Sequence, residues 1–67
     1  MKIGSMVKIA ENVSWMNLYT DYGVGIIVDI EPDFYKKGSN KFDRIWVYWV
    51  GKNQIDFEPV LFLKEIE

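Results

Sequence analysis

The feature that most limits what this chain can become is the run Gly23-Val24-Gly25-Ile26-Ile27-Val28-Asp29-Ile30-Glu31. β-Branched side chains lose χ1 freedom in a helix and pack well on a pleated surface, so a strand is predicted here. Alternation at period two puts Val24, Ile26, Val28 and Ile30 on one face and Gly25, Ile27, Asp29 and Glu31 on the other. Pro32 is expected to end it. Met6-Val7-Lys8-Ile9 is a shorter β-like run ahead of it; Arg44 to Val50 and Gln54 to Glu58 are two more behind it. Val60-Leu61-Phe62-Leu63, after Pro59, is expected to close the chain as a short strand or a helical turn. Residues 10–22 read as a long loop carrying Trp15, Met16, Leu18, Tyr19 and Tyr22. Asp33 to Asp43, with the turn cluster Gly38-Ser39-Asn40, reads as an irregular or hairpin connection. Four or five short strands in 67 residues predict an all-β fold, one small barrel domain over residues 1–67.

A core is affordable at this length only if large side chains fill it. Ordering the chain costs roughly 100 kcal/mol at about 1.5 kcal/mol per residue. Three Trp, four Tyr and four Phe are available to offset it, each burying about 150–250 Å² when enclosed. There is neither cysteine nor histidine, so no disulfide is expected and the usual zinc, copper, haem and iron–sulfur ligands are missing. Ser5, Ser14 and Ser39 have no histidine to activate them. Gly23-Val24-Gly25 leads into a β-branched run rather than a helix, so it is not read as a phosphate cradle. Asp29, Glu31 and Asp33 are read as a solvated acidic strand end, because the calcium-loop pattern is absent. The expectation is a non-enzyme with no cofactor and no metal. The apolar runs, such as Val24 to Val28, are too short to cross a bilayer. Met1-Lys2-Ile3-Gly4 lacks the apolar stretch of a secretion signal, and the sequon Asn12-Val13-Ser14 is read as chance. A soluble, cytoplasmic domain is therefore expected.

The turn at residues 51–53 decides which aromatic rings are inside. A two-residue loop, Gly51-Lys52, sets Trp46 opposite Phe57 and Tyr48 opposite Ile55. A three-residue loop with Asn53 left-handed sets Trp49 opposite Ile55 and Val47 opposite Phe57. The second register is preferred, because it gathers Ile45, Val47, Trp49, Ile55 and Phe57 on one face and leaves Trp46, Tyr48, Gln54, Asp56 and Glu58 on the other; a one-residue slip inverts every side chain. If residues 23–31 pair beside 44–50, Ile27, Trp46 and Tyr48 then form an outer aromatic patch, with Trp15 or Tyr19 at its margin. Such a patch with a polar rim is the usual character of a protein-binding site. The competing reading is a satellite core in which the 10–22 loop folds over the patch. A homo-oligomer joined through the same face or an open strand edge is a further alternative.

Charge is unevenly spread. Residues 36–52 hold Lys36, Lys37, Lys41, Arg44 and Lys52 against Asp43 alone, a net +4, while the rest holds Lys2, Lys8 and Lys64 against nine carboxylates, a net −6. Phe34, Tyr35, Lys36 and Lys37, then Lys41, Phe42 and Arg44, interleave rings with cations as single-strand nucleic-acid platforms do. Nucleic acid is the alternative partner; a solvated hairpin tip is the plainer reading.

At Gly4-Ser5-Met6-Val7-Lys8-Ile9, Gly23-Val24-Gly25-Ile26-Ile27-Val28 and Val47-Tyr48-Trp49 the chain resembles compact SH3-like barrels of the KOW and Tudor type, and more narrowly the short barrel proteins of tailed bacteriophages. The resemblance implies a five-stranded SH3-like barrel and, for a phage protein, a place in the host cytoplasm. KOW-like barrels also engage nucleic-acid machinery. Leu18-Tyr19-Thr20-Asp21-Tyr22 is similar to the Ala-Leu-Tyr-Asp-Tyr signature of SH3 domains. A Thr interrupts the spacing, however, and Trp46 and Trp49 are not adjacent, so proline-peptide binding is not carried over to Tyr19 and Tyr22.

Overall fold

The computed structural model describes residues 1–11 and 22–66. Apart from one 3₁₀ turn at Val60–Phe62, the regular structure among them is all strand. It comprises β1 (Met6–Ile9), β2 (Gly25–Lys37), β3 (Asn40–Trp49), β4 (Gln54–Pro59) and β5 (Leu63–Glu65). They form one antiparallel sheet in the order β4-β3-β2-β1-β5. The loop containing Trp15 and Tyr19 lies outside the described residues.

One face of this sheet makes the core. Val7 and Ile9 of β1, Ile27 of β2, Ile45, Val47 and Trp49 of β3 and Leu63 of β5 form a single buried cluster, with Tyr22, Ile30 and Val60 packed against it. Strands far apart in the sheet order thus share one core, so the sheet curls around it. Gly25 makes the centre possible. It stands between Val7 and Trp49 in the register, and a Cβ there would sit 2.3 Å from Val47 Cγ1 and 2.8 Å from the Trp49 ring. A side chain at 25 and the indole of Trp49 cannot share that space.

Strand β2 does not stop at Pro32. It continues to Lys37 as one arm of a long hairpin with β3. Proline is tolerated because Pro32, Asp33 and Phe34 together oppose Asp43 in an irregular stretch between the Glu31↔Arg44 and Tyr35↔Phe42 pairs, where a missing ladder donor costs little. Asp33 takes a positive φ of 54° there, and its amide donates to Asp43 Oδ1 at 2.9 Å. The hairpin ends on Gly38-Ser39, with Lys37 facing Asn40 and Gly38 at φ 61°. A two-residue turn with glycine first is favoured by strand twist.

The face assignment within β2 also differs from simple alternation. Gly25 and Ile27 point into the core, and Ile27 is 1% exposed, so it is not part of an outer patch. Val28 is an extra residue between the Ile27↔Val47 and Asp29↔Trp46 pairs. That bulge shifts the parity and returns Ile30 to the core side.

The β3–β4 register is the other correction. The connection is four residues, Val50–Asn53, and Trp49 pairs with Gln54, Tyr48 with Ile55, Val47 with Asp56, Trp46 with Phe57 and Ile45 with Glu58. Asn53 is left-handed, at φ 51°, as the preferred register required. The loop is nonetheless one residue longer, because Lys52 N donates to Trp49 O and Asn53 N to Val50 O in two successive turns. The resulting pairs, Trp46 with Phe57 and Tyr48 with Ile55, are those of the two-residue register, reached through a longer connection, and they invert β4 relative to the preferred one. Gln54, Asp56 and Glu58 take the core side and Ile55 and Phe57 the outer side.

Candidate protein-interaction surface

The inversion of β4 builds a second apolar face on the same sheet. Pairing aligns Met6, Ile26, Tyr48 and Ile55 in one row across four strands, and Asp29, Trp46 and Phe57 in the next. Ile55 is 54% and Phe57 44% exposed; Met6, Ile26 and the bulged Val28 are exposed as well. Trp46 and Tyr48 are half-buried on this side. A contiguous exposed apolar strip of this kind, rimmed by polar groups, is often a functional surface on a small protein. Of the sequence-derived candidates, Trp46 and Tyr48 stand on this surface and Ile27 does not. Ile26, its neighbour in sequence, takes that place. Ile55 and Phe57 were missed because their side follows from the loop length and not from their own pattern.

A polar and aromatic cluster holds one end of the strip. Glu31 Oε1 accepts from Trp46 Nε1 at 2.6 Å and from Arg44 Nε at 2.9 Å, and Arg44 Nη2 lies 2.7 Å away. The Arg44 guanidinium carbon sits 3.6 Å from the centre of the Phe34 ring, 4.8 Å from Phe57 and 5.1 Å from Trp46. Trp46 meets Phe57 edge-on at 5.2 Å. Such contacts lock rotamers, so the rings are presented in one arrangement. The Trp46 bond, then those of Arg44, holds the Glu31 carboxylate below the ordinary glutamate value of 4.5, against a smaller opposing effect of desolvation. A depressed folded value means stabilisation that is complete above about pH 4.5 and lost as pH falls through the folded value. The urea midpoint of the wild type should therefore decline more steeply on acidification below about pH 4.5 than that of Glu31→Gln. Parallel acid limbs would show that the cluster contributes nothing.

Beside this cluster a groove of about 380 Å³ runs along β4, lined by Tyr22, Trp46, Lys52, Ile55, Asp56, Phe57 and Glu58. Lys52 Nζ lies 4.1 Å over the Tyr22 ring and 3.2 Å from Asp56 Oδ2. Hydrogen bonding to Tyr22, with Asp56 adding, holds its pKa above the ordinary lysine value. Asp56 also accepts from Gln54 Nε2 at 3.1 Å. Tyr48 Oη donates to Asn53 Oδ1, tying the outer face to the turn. Inward-pointing charged residues on an edge strand discourage indiscriminate strand pairing, which suits Asp56 and Glu58 on β4.

The nucleic-acid candidates divide in two. Lys36, Lys37 and Lys41 are exposed on the hairpin arm, with Phe34 exposed and Tyr35 and Phe42 half-buried beside them. Arg44 is engaged with Glu31 and three rings. Among the described residues no group of three or more carboxylates gathers to hold a metal ion, and Asp29, Glu31 and Asp33 serve local hydrogen bonding or backbone turns instead. No helix of the described residues is long and apolar enough to cross a membrane. Comparison with family models, curated proteins and solved structures found no match for the chain.

Proposed function

We propose that this protein is a non-catalytic protein-interaction module. In this reading it is an SH3-like barrel, an accessory protein of a tailed bacteriophage that docks a host or virion protein in the host cytoplasm. The strand order, the curled sheet and the 3₁₀ turn ahead of the last strand support the barrel reading. The docking surface is the outer strip of Ile26, Trp46, Tyr48, Ile55 and Phe57. One observation carries it: an edge strand that turns Ile55 and Phe57 outward while Asp56 and Glu58 turn inward. A strand serving only the fold gains stability from the opposite arrangement. Aromatic residues fixed by their neighbours and rimmed by charge are the usual anchors of interfaces.

The test is capture from the native host, followed by calorimetry with the purified prey. Ile55→Ser/Phe57→Ser should weaken binding by at least about 30-fold, the loss of a central hot spot, while remaining folded by circular dichroism. Equal affinity of variant and wild type for the same prey would refute the assignment.

A further inference from the structure

The hairpin arm and the β4 groove are complementary in a way the fold of a single copy does not use. Lys36 and Lys41 face each other directly across the arm, with Lys37 beside them, and like charges placed opposite each other on a sheet are unfavourable. No carboxylate lies between Phe34 and Phe42 in sequence, and none of the ion pairs among the described residues involves these lysines. At the base of the arm Asp43 accepts from the Asp33 amide and Glu31 is held by Arg44. The groove has the opposite character, with aromatic walls from Tyr22, Trp46 and Phe57 and the carboxylates of Asp56 and Glu58. It already holds one ammonium group, that of Lys52, over the Tyr22 ring and against Asp56. Lys52 shows that walls of this kind accommodate a lysine side chain, with its head over a ring and beside a carboxylate.

We propose that the arm of one copy of this chain, through Lys36, Lys37 and Lys41, docks into the β4 groove of a second copy. This rests on the outer face being a docking surface and names an occupant for its groove. Arm and groove are different surfaces, so the contact is head-to-tail and builds rings or short chains. The contact is small, below about 1,200 Å² in total, and so belongs with weak, transient interfaces. Its charges are exposed to salt.

Sedimentation velocity at about 0.5 mM protein tests it. At about 25 mM salt the weight-average mass should exceed the monomer by at least about 1.5-fold and return to it at about 0.5 M salt. Lys36→Gln/Lys41→Gln and Asp56→Asn should each be monomeric alone. Mixed one to one, they should form dimers and nothing larger, since one intact arm then meets one intact groove. In case a variant fails to fold, wild-type amide shifts followed on dilution should move together at Lys36–Lys41 and at Gln54–Glu58. A wild type that is monomeric at low salt, either variant assembling alone, a mixture that stays monomeric while the wild type assembles, or dilution shifts elsewhere would each overturn the proposal. A monomeric wild type whose arm captures a nucleic-acid strand, or whose outer face captures a different protein, would overturn self-docking and leave the outer-face reading standing.

Discussion

Gly25→Ala is expected to remove about half of the stability of this protein. The new methyl would lie 2.3 Å from Val47 Cγ1 and under 3 Å from two carbons of the Trp49 ring. Both neighbours are completely buried, so neither has a flexible end to move aside. Overpacking of this kind costs about 3 kcal/mol. Lower entropy of the unfolded chain returns at most about 1 kcal/mol. A core of this size rarely supplies more than about 3–5 kcal/mol, so a net loss of about 2 kcal/mol consumes roughly 40–70% of it. The thermal midpoint should fall by roughly 10–20 °C, at about 4–8 °C per kcal/mol for a chain this short. A fall of less than about 5 °C would mean that β2 and β3 do not approach here as described.

Trp49 carries the second large effect. It is fully buried and the largest side chain of the core, and its ring meets Tyr22 at 5.0 Å. Trp49→Ala is expected to cost about 3–5 kcal/mol, transfer and cavity together, leaving little folded protein at 25 °C. Trp49→Phe separates two contributions. The smaller ring leaves some space, but the Trp49 Nε1–H is buried without a hydrogen-bond partner among the described residues, and removing such a donor relieves a penalty of about 1–3 kcal/mol. The phenylalanine variant should therefore lose no more than about 1–2 kcal/mol in urea unfolding. Equal losses for the two variants would show that volume plays no part at this site.

These two positions also mark what the sequence could and could not disclose. Strand identities were legible because they depend on local chemistry: β-branched runs at β2 and β3, the glycine-led turn of the hairpin, and Asn53 in a left-handed conformation. The core residues of β3 were legible too, since Ile45, Val47 and Trp49 follow strict alternation. What failed was parity between strands. Whether Ile55 points in or out depends on whether three or four residues connect β3 to β4. That number was set by two backbone turn bonds, which leave no mark on the hydrophobic pattern. Ile27 was misassigned for the related reason that a single extra residue at Val28 lets both Ile27 and Ile30 face the core. Pro32 misled because a strand stop was inferred from a missing donor, while the arm passes it in a stretch where no donor is needed. The Glu31–Arg44–Trp46 cluster spans 15 positions in sequence, and only the register brings it together.

Whether the outward apolar residues of β4 form a surface or a second core is decided most directly by urea unfolding of Ile55→Ser/Phe57→Ser. Ile55 and Phe57 give up only about half of a full side-chain burial each, so the double variant should lose no more than about 2 kcal/mol of unfolding free energy. A loss of about 3 kcal/mol or more, the signature of emptied core positions, would contradict the docking face.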